Sequence, residues 1–269
     1  MLHTPVEHAR QLLAQTQCFL LDLDGTLYLG DALIDGTQHF LHALGQAGKQ
    51  RLFVTNNSSK NALLYQQKLQ HLGVDATIDE IITSTQAAAV MLNQLHAGAK
   101  VFVLGNEAMQ QELVQCGVML EEHAPDVLLL GYDTTLNYDR LNAFCRYIQQ
   151  GLPYYATHAD LVCPTPWGYA PDAGSMLAMI ESATAIPPVG VAGKPEKGIL
   201  KLAVMRTGMP QSAMMICGDR LYTDIALGNL HDIPSVLVLS GESSLDGLAQ
   251  SPYDADIVVD QLSELVDLI

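Results

Sequence analysis

The segment Cys18-Phe19-Leu20-Leu21-Asp22-Leu23-Asp24-Gly25-Thr26-Leu27 constrains the fold more than any other stretch of the chain. Cys18 to Leu21 and Leu23 supply the apolar run of a buried parallel strand. Asp22 and Asp24 fall where that strand should end, and Gly25-Thr26 turns the chain away. A carboxylate is costly on a core strand unless it is paired, bound to a metal or at the strand's mouth. In open parallel sheets the carboxyl edge is where ligands bind. Alternation sends Asp22 and Asp24 to one side and Leu23 to the other. Such a pair suits a hard divalent cation, with one carboxylate left to attack or to move a proton. Asp-Gly is also ordinary turn chemistry, so the reading depends on the rest of the chain.

The remaining pattern repeats strand then helix, which predicts βαβ units and a mostly parallel sheet. Strands are expected at 50–54, 80–83, 100–104, 126–130, 153–156, 213–217, 235–239 and 257–259. Helices are expected at 37–46, from Ser58 or Ser59 (as cap) to about 72, and at 85–96, 107–116, 138–150, 175–184, 198–207 and 223–230. The Pro- and Gly-rich stretch 163–174 reads as a loop, and Ile186-Pro187-Pro188 as a linker. The fold class is α/β.

Composition narrows the partners. Across 269 residues, 29 acids against 13 bases give a formal charge of −16. A chain this acidic is poorly suited to nucleic acid, whose binding rests on cations at phosphates, and it would be repelled by an anionic membrane. An anionic substrate then needs a local cation or a metal to reverse the field. The five cysteines, with no CxxC pair, point to thiols in a reducing compartment. The first 15 residues carry no secretory pattern, and no apolar run approaches a membrane span. A cytoplasmic location is expected.

Three more polar clusters follow apolar strands or loops. Thr55-Asn56-Asn57 can offer a hydroxyl and N–H groups to an oxyanion. Gly193-Lys194-Pro195 places a cation between two constrained residues. Gly218-Asp219-Arg220-Leu221-Tyr222-Thr223-Asp224 sets two acids around a turn, with Asp224 in the first turn of a helix. Each alone has a plain reading, as a turn, a solvated lysine or a helix-dipole partner.

In this order, DLDGT at Asp22, VTNNSS at Thr55 and Asn56, GKP at Lys194 and GDRLYTDI at Asp219 and Asp224 resemble the four motifs of the haloacid dehalogenase superfamily. The fuller spellings resemble its NagD-like, p-nitrophenylphosphatase-like branch. Asp22 and Thr55 stand 33 positions apart, room for one helix, whereas 139 positions separate Thr55 from Lys194. That second gap far exceeds a single crossover and calls for an inserted domain. The expected architecture is a Rossmann-like parallel core over 1–84 and 188–269 with an α/β cap at 85–187. The resemblance also implies a possible homodimer through the cap.

The chemistry implied is Mg²⁺-dependent hydrolysis of a phosphomonoester through an aspartyl-phosphate. Asp22 is the expected nucleophile and Asp24 the acid and base. Asp22, Asp24 (through its carbonyl), Asp219 and Asp224 are the expected metal site. Thr55, Asn56, Asn57 and Lys194 are expected at the phosphoryl group. The substrate expected is a small phosphorylated metabolite such as a sugar phosphate or nucleoside monophosphate, with p-nitrophenyl phosphate also cleaved. In the cap, His158 stands where relatives often carry Asn and Asp172 where Gly is common, so both are candidate substrate contacts. A phosphomutase or other phosphotransferase shares these motifs. A receiver-like signalling module also uses Asp, Thr and Lys, but the acid at position 24 and the long insertion count against it.

Overall fold

Cys18–Asp22 lies inside a six-stranded sheet because both of its faces are covered. Phe19, Leu20 and Leu21 are wholly buried, as are Met215 and Ile216 on the neighbouring strand. In the computed structural model, which describes residues 1–165 and 167–269, the sheet order is Ile257–Val259, Ser235–Val238, Met214–Gly218, Cys18–Asp22, Gln50–Thr55, Ile81–Thr83. Cys18–Asp22 runs parallel to both neighbours, with Leu21 opposite Cys217 and Asp22 opposite Val54. The chain leaves this strand toward one side and later returns on the other. The strand order therefore reverses at Cys18–Asp22, the topology that opens a ligand crevice beyond the strands' carboxyl ends.

A second sheet has the order Gly190–Val191, Tyr154–Ala156, Val127–Leu130, Lys100–Leu104, Met119–Leu120, with parallel pairing throughout. Its core includes Phe102, Leu128, Leu130, Phe144, Tyr154 and Ile180. Phe144 meets Tyr154 edge to face at 5.8 Å, a favoured aromatic geometry. The chain divides into two compact units: Met1–Val54 with Gln66–Ile82 and Leu200–Ile269, and Thr55–Tyr65 with Thr83–Ile199. The first sheet belongs to the former unit and the second sheet to the latter.

Helices form largely where the pattern placed them; Thr37–Gln46 and Gly198–Thr207 keep their expected bounds. The differences have local causes. Helix Ala62–His71 is capped by Asn61, whose Oδ1 accepts from Leu64 N at 3.0 Å, instead of by Ser58 or Ser59. Ser58 Oγ instead accepts from Tyr132 N (2.8 Å) and meets Thr157 Oγ1 (3.0 Å). Glu112 is buried at the start of two helices. It accepts from Ala62 N (2.9 Å), Thr83 Oγ1 (2.7 Å) and Gln86 Nε2 (2.9 Å). Within the stretch read as a loop, Val162–Thr165 and Gly168–Pro171 pair as an antiparallel hairpin; Pro166 lies outside the described residues. The first turn after Met214–Gly218 is π-helical, Leu221–Ile225, and the α-helix proper is Ala226–His231. Among the described residues no helix is long and apolar enough to cross a membrane.

Candidate active site

Asp22 ends its strand at the switch point, and Asp219 follows the last residue of the adjacent parallel strand. One further turn, the π-helical one, swings Asp224 back toward them. Carboxylate oxygens of Asp22, Asp219 and Asp224 all lie within 4.8 Å of one another. Two unit charges at that separation repel by roughly 3.5 kcal/mol even at an effective dielectric of about 20. The cluster is therefore an oxygen-only set that a hard cation would relieve. Such a donor set fits Mg²⁺ and offers nothing to a metal that prefers sulfur or imidazole.

The surrounding backbone is shaped to these carboxylates. Glu242 N donates to Asp219 Oδ2 at 2.7 Å, and Arg220 N donates to Asp224 Oδ2 at 3.2 Å. Ser240 Oγ donates to the carbonyl of Gly25 at 2.7 Å, fastening the turn after Asp24. Gly25 has φ +87°, and a Cβ there would run into the Asp219 carboxylate, as would one on Gly241. These glycines bring backbone within contact of a side-chain oxygen, a requirement the sequence pattern did not reveal.

Asp24 is set apart from that trio. Its side chain is about half exposed, Tyr28 Oη donates to its Oδ2 at 3.1 Å, and Lys68 Nζ stands 3.8 Å from its Oδ1. Lys68 also lies 3.8 Å over the Tyr28 ring, so one cation steadies both groups. Nothing in the spacing of Lys68 marked it for this position. The cysteines on the two central strands are poor candidates for nucleophiles. Burial pushes the Cys18 thiol up to about 12, and burial with the nearby Asp224 charge pushes Cys217 up as well.

In the other unit, the Asn56 side chain clamps the backbone of Lys194: its Oδ1 accepts from Lys194 N (2.8 Å) and its Nδ2 donates to Lys194 O (2.9 Å). Thr55 Oγ1 accepts from Asn57 N at 3.1 Å, and Asn57 Oδ1 accepts from Ser59 N at 2.9 Å, so the turn is locked by its own side chains. His158 and Asp172 come together as a buried pair, Nε2 to Oδ1 at 3.5 Å. Asp160, not singled out by the sequence, faces the other ring nitrogen of His158 at 3.8 Å.

A groove of about 680 Å³ lies elsewhere, along the amino end of Gln50–Thr55, lined by Lys49, Arg51, Glu80 and Arg206 among others. Its cations are engaged structurally. Lys49 Nζ donates to the carbonyls of Leu13 and Thr16, Arg51 Nε to Glu80, and Arg206 to the carbonyls of Asp79 and Ile81. The carboxylates converge away from this groove, at the carboxyl end of the strands.

Comparison with known proteins identifies the family. Residues 19–119 match the family model described as haloacid dehalogenase-like hydrolase, and residues 191–265 match a second, HAD-hydrolase-like model. The chain is 31% identical to the acid sugar phosphatase of Staphylococcus aureus over 86% of its length and 90% of that protein's. It is 30% identical to the 5'-nucleotidase YutF of Bacillus subtilis, covering 93% and 98%. Among solved structures, the 4-nitrophenylphosphatase of Thermotoga maritima superposes with a TM-score of 0.92 at 38% identity, covering 95% and 98%. A glycerol phosphate phosphatase of Mycobacterium tuberculosis, in complex with magnesium, gives 0.86 at 32% identity, covering 96% and 79%. NagD of E. coli K-12 gives 0.86 at 28%, covering 94% and 99%. The chain belongs to the haloacid dehalogenase-like hydrolases and is a phosphatase of their NagD-like, p-nitrophenylphosphatase-like branch.

Proposed function

We propose that the chain is a Mg²⁺-dependent phosphomonoester hydrolase that works through an aspartyl-phosphate at Asp22. The observation that carries this reading is the convergence of Asp22, Asp219 and Asp224 at the switch point of a parallel sheet. Asp22, the carbonyl of Asp24, Asp219 and Asp224 would hold the cation, which when bound neutralises charge on the phosphoryl oxygens.

An oxygen of Asp22 attacks phosphorus as the bond to the leaving oxygen breaks, giving the phosphorylated aspartate. Asp24 delivers its proton to the leaving alkoxide. The same carboxylate then removes a proton from water, whose oxygen attacks phosphorus and releases Asp22 and inorganic phosphate. Tyr28 and Lys68 steady Asp24 for this double task. The Thr55 hydroxyl, the Asn56–Asn57 turn and Lys194 hold the phosphoryl oxygens and offset the acidic surroundings.

The substrate proposed is a small phosphorylated metabolite. The named relatives act on a sugar phosphate, a nucleotide, glycerol phosphate and 4-nitrophenyl phosphate, a range consistent with shared phosphoryl chemistry and varied leaving groups. Residues 85–187 are proposed as the cap that makes this choice, and as the surface of a homodimer. The test is rapid-quench trapping of phosphoenzyme from labelled substrate with Mg²⁺ present. Label should appear on the wild-type chain before phosphate is released and be missing from Asp22→Asn. Turnover without any trapped label on Asp22 would overturn the mechanism.

A further inference from the structure

We propose that His158 and Asp172 are positioning residues for Lys194, acting through Asp160 and Asn56; the inference rests on the phosphoryl-holding role given to Lys194 above. Four side chains form one enclosed polar chain that ends on the backbone of Lys194. His158 is 0% exposed, Lys194 2%, Asp172 3%, and Asp160 and Asn56 5% each. Asp172 Oδ1 faces His158 Nε2 at 3.5 Å, and His158 Nδ1 faces Asp160 Oδ1 at 3.8 Å. The same Asp160 oxygen accepts from Asn56 Nδ2 at 3.0 Å. That nitrogen also donates to Lys194 O, and Asn56 Oδ1 accepts from Lys194 N.

The direction of these bonds explains how the effect travels. An asparagine amide has one donating and one accepting end, and only one orientation matches both backbone groups of Lys194. An ionised carboxylate only accepts, so Asp160 selects the orientation with Nδ2 toward itself. Asp160 is itself a buried charge, stable in place only if it is compensated. His158 stands between the two carboxylates at ion-pair distances, 3.8 Å from Asp160 and 3.5 Å from Asp172, without a hydrogen bond to either; as an imidazolium it would supply that compensation. Asp172 is anchored in turn, since it caps helix Ala173–Thr184 and accepts from Ala173 N at 2.6 Å.

The backbone leaves little slack around this chain. Gly193 N donates to Thr157 O at 2.7 Å and Gly174 N to Asp160 O at 2.8 Å. A Cβ on Gly174 would meet the carbonyl of Ala159, and one on Gly193 would meet Asn56 Oδ1 and Thr157 O. The loop carrying His158 is thus fitted against both the Lys194 turn and the helix that Asp172 caps. A buried ionic chain is rarely the most stabilising way to fill such a space; an apolar filling often does as well or better. Its value lies in fixing one geometry.

The test is a double-mutant cycle read on kcat/KM for p-nitrophenyl phosphate and for a sugar phosphate. His158→Ala should lower both by the same factor, about tenfold to a hundredfold, the scale of a misplaced binding group. The loss should largely vanish when His158→Ala is made in a Lys194→Ala background. The double variant His158→Asn/Asp172→Gly, which removes the imidazole and the outer carboxylate together, should recover most of what His158→Ala loses. If His158→Ala does not fold, Asp172→Asn enters the same cycle, keeping the shape and the acceptor toward Ala173. Unequal losses on the two substrates would overturn the inference in favour of direct substrate contact. Losses that multiply with those of Lys194→Ala would overturn it in favour of a structural role. Full activity in Lys194→Ala itself would instead overturn the catalytic reading and take the inference with it.

Discussion

The Asp22–Asp219–Asp224 cluster and the Asp172–His158–Asp160–Asn56–Lys194 chain solve opposite electrostatic problems. The first gathers three like charges and keeps them close by steric means, with Gly25 and Gly241 pressed against Asp219. Its like charges repel one another, and a bound cation would relieve that repulsion. The second alternates acid, imidazole, acid and amide and ends on the backbone of Lys194, so its groups are matched to one another within the protein. On the reading proposed above, one region binds charge and the other holds a shape. Substitutions should therefore fail differently in the two places.

The largest expected effect breaks the first region at its centre. Asp22→Asn keeps the volume but loses the attacking oxygen, and turnover of p-nitrophenyl phosphate should fall roughly 10⁴-fold or more, as for other covalent nucleophiles. Its melting temperature should hold or rise, because one repelling charge has gone. More than a tenth of wild-type activity remaining would remove Asp22 from the chemistry. Metal removal comes next. EDTA should abolish turnover, Mg²⁺ should restore it and Ca²⁺ should do so poorly, since its longer bonds and looser shell displace the carboxylates. Calorimetric melts sharpen the point: Mg²⁺ should raise the melting temperature of the wild-type chain and leave Asp219→Ala unmoved. Equal Mg²⁺ shifts in both would place the cation elsewhere.

Gly241→Ala tests whether shape alone maintains the cluster. The added methyl must displace the Asp219 carboxylate, so kcat should drop about tenfold to a hundredfold and more Mg²⁺ should be needed for half-maximal rate. Wild-type kinetics would show that the carboxylate has slack. A smaller effect belongs to Lys68→Ala. The half-exposed Asp24 keeps Tyr28 as its donor, so a loss of only about twofold to fivefold is expected. A hundredfold loss would promote Lys68 from steadying Asp24 to handling substrate.

The sequence made the first region far more legible than the second. Its strands are continuous apolar runs, and each acid sits at the end of one, so pattern and chemistry coincide at Asp22 and Asp219. Asp224 was legible as an acid near a helix start, although the π-helical turn that aims it was not. Periodicity separates an ordinary helix from a strand but does not distinguish 3.6 from wider windings over five residues. His158, Asp160 and Asp172 read as polar loop residues because what joins them is contact across 14 positions, which no local periodicity displays. The hairpin Val162–Thr165 with Gly168–Pro171 reads as a loop from sequence for a local reason. Its prolines and glycine mask an antiparallel pairing that needs no apolar alternation. Asn61, rather than Ser58 or Ser59, caps its helix; Ser58 is engaged with Tyr132 and Thr157, and Ser59 Oγ donates to Asn57 Oδ1.

The glycines around Asp219 bear on how this enzyme tolerates change. Gly25 and Gly241 carry no proton, ligand atom or charge, yet each is the outline of a neighbouring carboxylate cast in backbone. A mutational survey should find them as unforgiving as the acids themselves. Unlike a lost acid, such a defect leaves every reacting group present and only misaligned. It should therefore be curable at a second position, wherever a smaller side chain lets Asp219 return.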